Sequence, residues 1–588
     1  MSVTGAGCPE YSRLLPKGRR HDAPATTVTA VISGHVFVIQ GAMAHLDCDA
    51  VVVSTDSRFS VRGHWSDTLG TGLLNDERRH ADADALRPER WTERRFGRAR
   101  EPEPGVSPPR PTWLLDVVPD GDVASVHGIA GVMKRLEHVL RDVAGATIRP
   151  EHQRFVPLVA LPVVGVRGGG LGSLRGSVAE LQLEVCERLS HELGLDVVIV
   201  TTSPSDYTAF QSRRRARLDQ RHPQAADDEA ARRLAEAREL GSLARRGGLA
   251  LFIGAGVSMS AGLPSWGDLI KHLQCRAAEV DPAIGNFTIE TWSDLDKAEL
   301  LRGVLGDRFG GEVAALVRAE RYGVSHAILA ALGCREVVTT NFDDLYEKAA
   351  SDVGGGAAVS VMPHGRLPVT GPWLLKMHGS ASEPDSIVLS RSDFVGFDAK
   401  SGPMGSILQS LMMTRHLLIL GASMTDDNVL RLALEVIAFT SNATTKPPDP
   451  ATARTSRLER KEGSELGTVV TLGPDAARAQ LWKGRFRYVS ASDEKDLNKA
   501  VRDLAIFLDT VAVYAAGTSH LVDGRYANLH PQPEANAIAR QARDLLRRVE
   551  DLPDELQDAW RPLADALRAL GAAEEHDDAT SSGSKNPT

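Results

Sequence analysis

Residues Leu249–Trp266 read LALFIGAGVSMSAGLPSW, and this stretch decides the fold. The apolar run Leu249–Ile253 gives way at once to Gly254, Ala255 and Gly256, then to Ser258, Gly262, Pro264 and Trp266. A short apolar run bounded by glycines predicts a buried strand of a parallel sheet. Glycines at its end permit a tight turn and bring backbone N–H groups close to a pyrophosphate. The third glycine comes too late for G-x-G-x-x-G, so alone this loop is equally an ordinary strand-to-helix turn.

Downstream, Pro264 and Ser265 introduce a helix with Trp266, Leu269, Ile270 and Leu273 on one face. Asp281–Tyr322 reads as a mostly helical insertion, a lid or a wall over the first loop. Three more apolar runs end in polar clusters. Glu336–Thr340 ends in Thr340, Asn341, Phe342 and Asp343, and Trp373–Met377 in His378 and Gly379. His416–Leu420 ends in Gly421, Ser423, Asp426 and Asn428, and a helix resumes at Val429. In an open parallel sheet, ligands sit where such loops converge beyond the carboxyl ends of the strands. After a polar, Pro-containing excursion at Asn442–Gly467, Thr468–Leu472 and Arg485–Val489 read as the last strands and Leu497–Val513 as a closing helix.

Upstream, His35–Ile39, Ala50–Val53, Val156–Val164 and Asp196–Thr201 are strand candidates, with helices at Ile129–Val143 and around Val178–Leu193. The glycine loop Gly165–Gly170 follows the third strand. Asp76–Pro111, crowded with charge and proline, reads as a surface helix or long loop. The predicted organisation is a loose tail at 1–27, an α/β unit at 28–206, a helical linker at 207–245, a second α/β unit at 246–515, and a helical extension with a disordered acidic tail at 516–588.

The chain has 588 residues, 42% hydrophobic and 25% charged, as in an ordinary multidomain globular protein. A net charge of -9 argues against a protein that coats nucleic acid. Five cysteines without a C-x-x-C pair fit a reducing, cytoplasmic compartment and exclude the usual zinc-ribbon spacing. No apolar run approaches the ~18 residues of a membrane span.

GAGVSMSAGLPSW, TTNFD, KMHG and LGASMTDDN occur in this order, each at a strand end. Over about residues 246–515 they resemble the sirtuin superfamily. They are more similar to the bacterial sirtuin-like domains of anti-phage defence than to the protein deacylases. His378 is not followed by the four-cysteine zinc module of the deacylases, their Thr-Gln-Asn is Thr339-Thr340-Asn341, and their Phe-Arg is Ser265-Trp266. Residues 28–205 resemble a macro-type domain, through VIQGAMAHLDCDAVVVSTDS, ALPVVGVRGGG and LDVVIVT. The acidic residue that grips adenine in that family falls at Ala42, and its Asn-rich loop at Val53–Asp56. The fold class expected is therefore α/β: a macro-like domain, a Rossmann-like doubly wound parallel sheet of sirtuin type, and a small helical extension.

The resemblance implies cleavage of NAD to nicotinamide and ADP-ribose, with NAD as substrate and no metal. Gly254, Ala255, Gly256 and the Ser258 hydroxyl would hold the diphosphate, with Gly262, Pro264, Trp266 and Thr340 completing that wall. Asp343 would hold the carboxamide and Asn341 would orient the ribose or the water. His378 would act as general base. Gly421, Ser423, Asp426 and Asn428 would face the adenosine half. The bland alternatives are an N-cap at Ser258, an Asx cap at Asp343, a structural His378 and a helix cap at Asp426. The resemblance also implies a homo-oligomer, a phage-derived or partner trigger, and a nucleotide or ADP-ribose-like ligand at Gly165–Gly170. The rival functions are a deacylase or ADP-ribosyltransferase, and a non-catalytic nucleotide sensor.

Overall fold

A computed structural model describes residues 33–572, apart from 71–79, 82–83, 102–107, 121–125, 147, 149, 151, 153, 221–227, 364, 366–367, 369–370, 423, 425, 445–464 and 531. The tail expected at 1–27, the acidic tail and most of the 442–467 excursion lie outside the described residues.

Two sheets organise the chain. The first contains β1 (Val36–Gln40), β2 (Ala50–Thr55), β3 (Phe96–Arg98), β4 (Thr112–Asp116), β5 (Leu158–Pro162) and β6 (Asp196–Thr201). Its order is β1-β6-β5-β2-β4-β3, parallel throughout except for the antiparallel edge strand β3. Alternate residues of β1 face opposite ways, as the pleat requires. Val36 and Val38 join a core with Ile129, Leu136 and Val139 of α1 (Val126–Gly145) and with Val178 and Leu183 of α2 (Arg175–Leu193). Phe37 and Ile39 face the other way. They share a second core with the second sheet's Leu249, Leu251 and Ile253, so the two units are joined through one hydrophobic interior.

The helices α3 (Pro204–Gln220) and α4 (Asp228–Arg245) link the units. The second sheet contains β7 (Leu249–Ile253), β8 (Glu336–Thr339), β9 (Ser360–Met362), β10 (Trp373–Lys376), β11 (His416–Leu420), β12 (Gly467–Thr471) and β13 (Phe486–Ser490). All its pairings are parallel, in the order β9-β10-β8-β7-β11-β12-β13. The chain builds outward from β7 through β8 to β10 and β9, then returns to lay β11 on the other side of β7. This doubly wound topology places its switch point at β7, where ligand crevices form.

The helical insertion is a wall. Helices α5 (Trp266–Val280), α6 (Asp294–Leu305) and α7 (Phe309–Leu316) pack together with Phe342, Ile387 and Leu389, which flank two of the four loops. Arg391 bonds Asp296, and Arg302 bonds Asp393, fastening this wall to the chain that follows His378. Helices α8 (Val324–Ala331) and α9 (Leu345–Val353) flank β8 in sequence, and α8 also packs on β1.

The closing helices are α10 (Phe397–Thr414), α11 (Asp427–Thr444) and α12 (Leu497–Ala515), followed by the hairpin α13 (Pro533–Glu550) and α14 (Asp554–Ala569). Helix α12 belongs to both units. Its Asp509, fully buried, accepts from Arg214 of α3 and lies 2.7 Å from His35 Nε2, while its Arg502 donates twice to Asp196 of β6 at 2.7 Å. Beyond it, Tyr526 donates to Asp206 (2.6 Å), whose other oxygen accepts from Arg175 of α2 (2.7 Å).

The sequence reading differs from the fold in the stretch before α1. Phe96–Arg98, inside the presumed surface helix or loop, is the antiparallel edge strand, and Thr112–Asp116 is an interior strand that the reading passed over. Its five residues TWLLD are all buried, but they follow directly on Pro108, Pro109 and Pro111 and the charged run before them.

Candidate active site

Four loops leave the carboxyl ends of β7, β8, β10 and β11 on one side of the second sheet. The first and last interlock through glycine. Gly421 has φ +63, a left-handed conformation in which a side chain is strained. A Cβ on Gly254 would stand 2.6 Å from the Gly421 carbonyl oxygen, and one on Gly256 2.8 Å from the Gly421 Cα. This approach is bonded: Gly254 N–H donates to the Leu420 carbonyl (2.8 Å) and Gly256 N–H to the Gly421 carbonyl (2.9 Å).

These bonds correct the expected diphosphate cradle. The N–H groups of Gly254 and Gly256 are spent on the β11 loop, and the helix at Ala255–Ser258 is a single turn that runs into a 3-10 turn. Ser258 is neither a free hydroxyl nor a simple N-cap. It is buried and donates to Asp343 Oδ2 (2.9 Å), while Asn341 Nδ2 (3.1 Å) and His326 Nε2 (3.2 Å) reach its oxygen.

The β8 loop is folded on itself and on β7. Thr339 Oγ1 donates to the Ile253 carbonyl (2.8 Å) and accepts the Asn341 N–H (3.0 Å), and Thr340 N–H also donates to Ile253 (3.3 Å). Asn341 Nδ2 donates to the Gly254 carbonyl as well (3.3 Å), leaving its buried Oδ1 without a partner among the described residues. Asp343 Oδ1 accepts the Leu345 N–H (3.1 Å), an Asx turn leading into α9, whose N-cap is Asp344, so this residue shapes the helix start and partners Ser258 at once. Beneath the loop, Lys376 is 1% exposed and donates to the carbonyls of Phe342 (3.2 Å) and Asp343 (2.6 Å) and to Glu347 (2.8 Å).

His378, at the end of β10, is 2% exposed and boxed by the rings of Phe394 and Phe397, 5.2 and 6.3 Å away. Asp426 Oδ2 from the β11 loop lies 3.2 Å from its Nε2, and neither ring nitrogen has an aligned hydrogen bond among the described residues. Asp426 Oδ1 accepts the N–H groups of Asn428 and Val429 (3.0 Å each), capping α11. Burial opposes ionisation of Asp426. His378 and the two N–H groups outweigh it and hold the carboxyl below its ordinary value. The buried Asn428 amide nitrogen also lacks a partner among the described residues. Ser423 lies outside the described residues.

Of the outer residues, Gly262 turns left-handed (φ +78) against the His152 ring of the first unit. Pro264 leads into Ser265, which caps α5 by accepting the Asp268 N–H. Trp266 sits 6.5 Å from the Phe342 ring, beside the β8 loop. The site thus gathers Ser258, Asn341 and Asp343 in one bonded cluster and sets His378 against Asp426. His326 and Lys376 were missed by the sequence reading. The signal for His326 was a polar residue inside the apolar run VSHAILAAL, and for Lys376 a lysine inside the strand run WLLKM.

Among the described residues there is no group of three His, Cys, Asp or Glu side chains placed to hold a metal, and no helix long and apolar enough to cross a membrane. Residues 335–466, which include the β8, β10 and β11 loops, match the family described as the SIR2-like domain. The chain is 30% identical over 203 residues to "NAD(+) hydrolase ThsA" of Enterococcus faecium, covering 32% of this chain and 40% of that one. It is 28% identical over 193 residues to the protein of the same name from Acinetobacter baumannii (strain 532279), covering 31% and 37%. "Defense-associated sirtuin 2" of Bacillus subtilis is 23% identical over 198 residues, covering 33% and 19%. The chain therefore spans two fifths or less of the length of these relatives, and the match to the SIR2-like family falls within its second unit.

Proposed function

We propose that this protein hydrolyses NAD to nicotinamide and ADP-ribose, and that it serves anti-phage defence as a triggered effector that depletes NAD. The observation that carries this reading is the convergence of buried polar atoms without a partner among the described residues (Asn341 Oδ1, His378 Nδ1, Asn428 Nδ2) on the loops of a SIR2-like domain. Burying such atoms unsatisfied costs free energy, and a polar ligand recovers it. The relatives' names, NAD(+) hydrolase and defense-associated sirtuin, supply the substrate and the setting.

The bond that breaks joins nicotinamide to ribose. Nicotinamide leaves with the bonding pair, positive charge builds on the sugar, water adds to the anomeric carbon, and one proton is released. Asp343 accepts at both oxygens, which holds the carboxylate in place where that charge develops. Asn341 orients the water or a ribose hydroxyl. When Asp426 takes the Nε2–H of His378, the lone pair on Nδ1 is free to accept the released proton. Gly254, Ala255, Gly256, Gly262, Pro264, Trp266 and Thr340 form the wall on one side of the nucleotide. Gly421 and Asn428 form the other.

Residues 28–206 serve in this reading as a sensor or cover for the catalytic unit at 246–515, in a cytoplasmic oligomer. A cleft of about 300 Å³ in the first unit is lined by Thr55, Arg62, His64, Arg167 and the Gly165–Gly169 loop. Arg62 and Arg167 face this cleft together with Asp56, Asp67 and Asp206, so its lining carries both signs of charge around the glycine loop.

The test is NAD consumption by the purified protein, with nicotinamide and ADP-ribose quantified, for wild type, Asn341→Ala and His378→Ala, with and without extract of infected cells. Loss of NAD in wild type alone, without an acceptor protein, supports hydrolysis. Transfer of label to protein, or turnover only with an acylated peptide, replaces it with the transferase or deacylase reading. Intact NAD under every condition leaves a sensor.

A further inference from the structure

The buried imidazole of His326 stands behind the site with no part in the chemistry above. We propose that His326 is a positioning residue: it sets the direction of the Ser258 proton, and through Ser258 it fixes Asn341 with its carbonyl oxygen toward the substrate. The inference rests on the NAD-cleaving reading and names the hydrogen-bond polarity of that same site.

The protons around the Ser258 oxygen can be counted. An ionised carboxylate only accepts, so the single Ser258 proton lies in the 2.9 Å bond to Asp343 Oδ2. The Ser258 oxygen must then accept from its two other neighbours, Asn341 Nδ2 at 3.1 Å and His326 Nε2 at 3.2 Å. His326 therefore carries its proton on Nε2. His326 is 1% exposed, and burial outweighs the opposing pull of Asp343 and the Gly323 carbonyl, so the neutral form is favoured. The second Asn341 amide proton points at the Gly254 carbonyl at 3.3 Å. A flipped amide would set Oδ1 against that carbonyl oxygen and against an Ser258 oxygen whose proton is committed elsewhere. Only one orientation satisfies every partner. It leaves Asn341 Oδ1, buried and unpartnered, as the group offered to substrate.

An acceptor in that place selects a donor. The substrate atom that meets Asn341 is an O–H or N–H, such as a ribose hydroxyl, the attacking water or a carboxamide NH2, and not a phosphate oxygen. Without the His326 donor, the Ser258 oxygen has a lone pair to spare, its proton can swing to Asn341 Oδ1, and the amide can present the wrong end. His326 never touches substrate in this scheme, which distinguishes it from His378.

The experiment compares His326→Leu, His326→Gln, Ser258→Ala and the double variant His326→Leu/Ser258→Ala in the full-length chain, reading kcat and KM for NAD separately. Leucine removes the donor at similar volume, whereas glutamine restores an N–H. His326→Leu should lose about tenfold in kcat, the weight of one buried hydrogen bond, and His326→Gln should stay within about threefold of wild type. The double variant should be no slower than Ser258→Ala, because one residue acts through the other. Multiplicative losses, or a His326→Leu variant with wild-type kcat, would overturn the proposal. A readout independent of turnover is the 15N spectrum of histidine-labelled protein, with His326 assigned by its loss in His326→Gln. A neutral ring protonated on Nε2 supports the proposal, and one protonated on Nδ1 alone overturns it. If wild type cleaves no NAD while the spectrum shows the Nε2–H form, the proton arrangement stands and the hydrolase reading is what fails.

Discussion

Replacing Gly421 by alanine tests the glycine interlock between the β7 and β11 loops. Two costs combine. The left-handed backbone at φ +63 charges an L-residue about 1 kcal/mol. The new methyl would also stand 2.5 Å from the Val257 nitrogen, 2.9 Å from the Gly254 carbonyl oxygen and 3.0 Å from the Gly256 carbonyl carbon. All three are main-chain atoms, so no side chain can swing aside, and overpacking of this kind costs about 1–3 kcal/mol. The total is about 2–4 kcal/mol. Relief requires the β11 loop to lift, which breaks the Gly256–Gly421 bond and carries Asp426 away from His378. The variant should therefore lose stability and NAD turnover together. Gly333→Ala is the control: it shares a positive φ of +70 but has no atom within 4 Å of its Cβ, so it carries the torsional cost alone. The assay is urea unfolding of both variants beside NAD cleavage. If Gly421→Ala unfolds at the same urea concentration as Gly333→Ala and keeps wild-type kinetics, the close approach is not what holds the two loops together.

Three further outcomes are expected. Asp509→Asn strands the buried Arg214 guanidinium and should cost about 3–5 kcal/mol in urea unfolding, since the charge left behind is uncompensated. Lys376→Met leaves the Phe342 and Asp343 carbonyls and the Glu347 carboxylate without their shared donor. It should destabilise by a similar amount and slow NAD cleavage, and adding Glu347→Gln should recover part of the stability in the same unfolding assay. Burial, reinforced by His530, pushes the His520 pKa from 6.5 to about 4. Below pH 6.5 the unfolded chain takes up a proton that the folded one refuses, so stability falls as pH drops toward 4, by about 3 kcal/mol in all. His520→Gln should flatten that limb of a stability-versus-pH series.

The second sheet was legible because each of its central strands is a compact apolar run closed by glycine or an amide-bearing cluster. Leu249–Ile253 and His416–Leu420 coincide with the observed strands residue for residue. In the first unit, β3 and β4 escaped because a three-residue strand and a five-residue strand carry little signal beside dense proline and charge. At the site, residue types gave away which loops converge, but not how their polar groups are spent. Backbone N–H groups in a glycine loop look available in sequence. Whether they face a ligand or a neighbouring loop depends on a partner strand more than 160 residues away, and at Gly254 and Gly256 the neighbour takes them. His326 was hidden for the same reason, since its partner Ser258 lies 68 positions earlier.

The placement of α12 and the segment through Tyr526 against β1, β6 and α3 also has a consequence for the order of events on the ribosome. The first sheet has all its strands once Thr201 is made, but the residues that seal its β1 side, Arg502, Asp509 and Tyr526, come roughly 300 residues later, about 15–60 s at ~5–20 residues per second. Through that interval α3 already lies along β1, with Gln211 and Arg214 donating to the Val38 and Val36 carbonyls, but Arg214 and Asp196 lack their counter-charges while the strands of the second sheet are being added one after another. The nascent first unit thus waits for α12 and Tyr526 before its buried charges at Arg214, Asp196 and Asp206 are all paired as in the fold. A chain cut between the two sheets yields an N-terminal fragment without its seal and a C-terminal fragment whose α12 has lost the face it was built to cover.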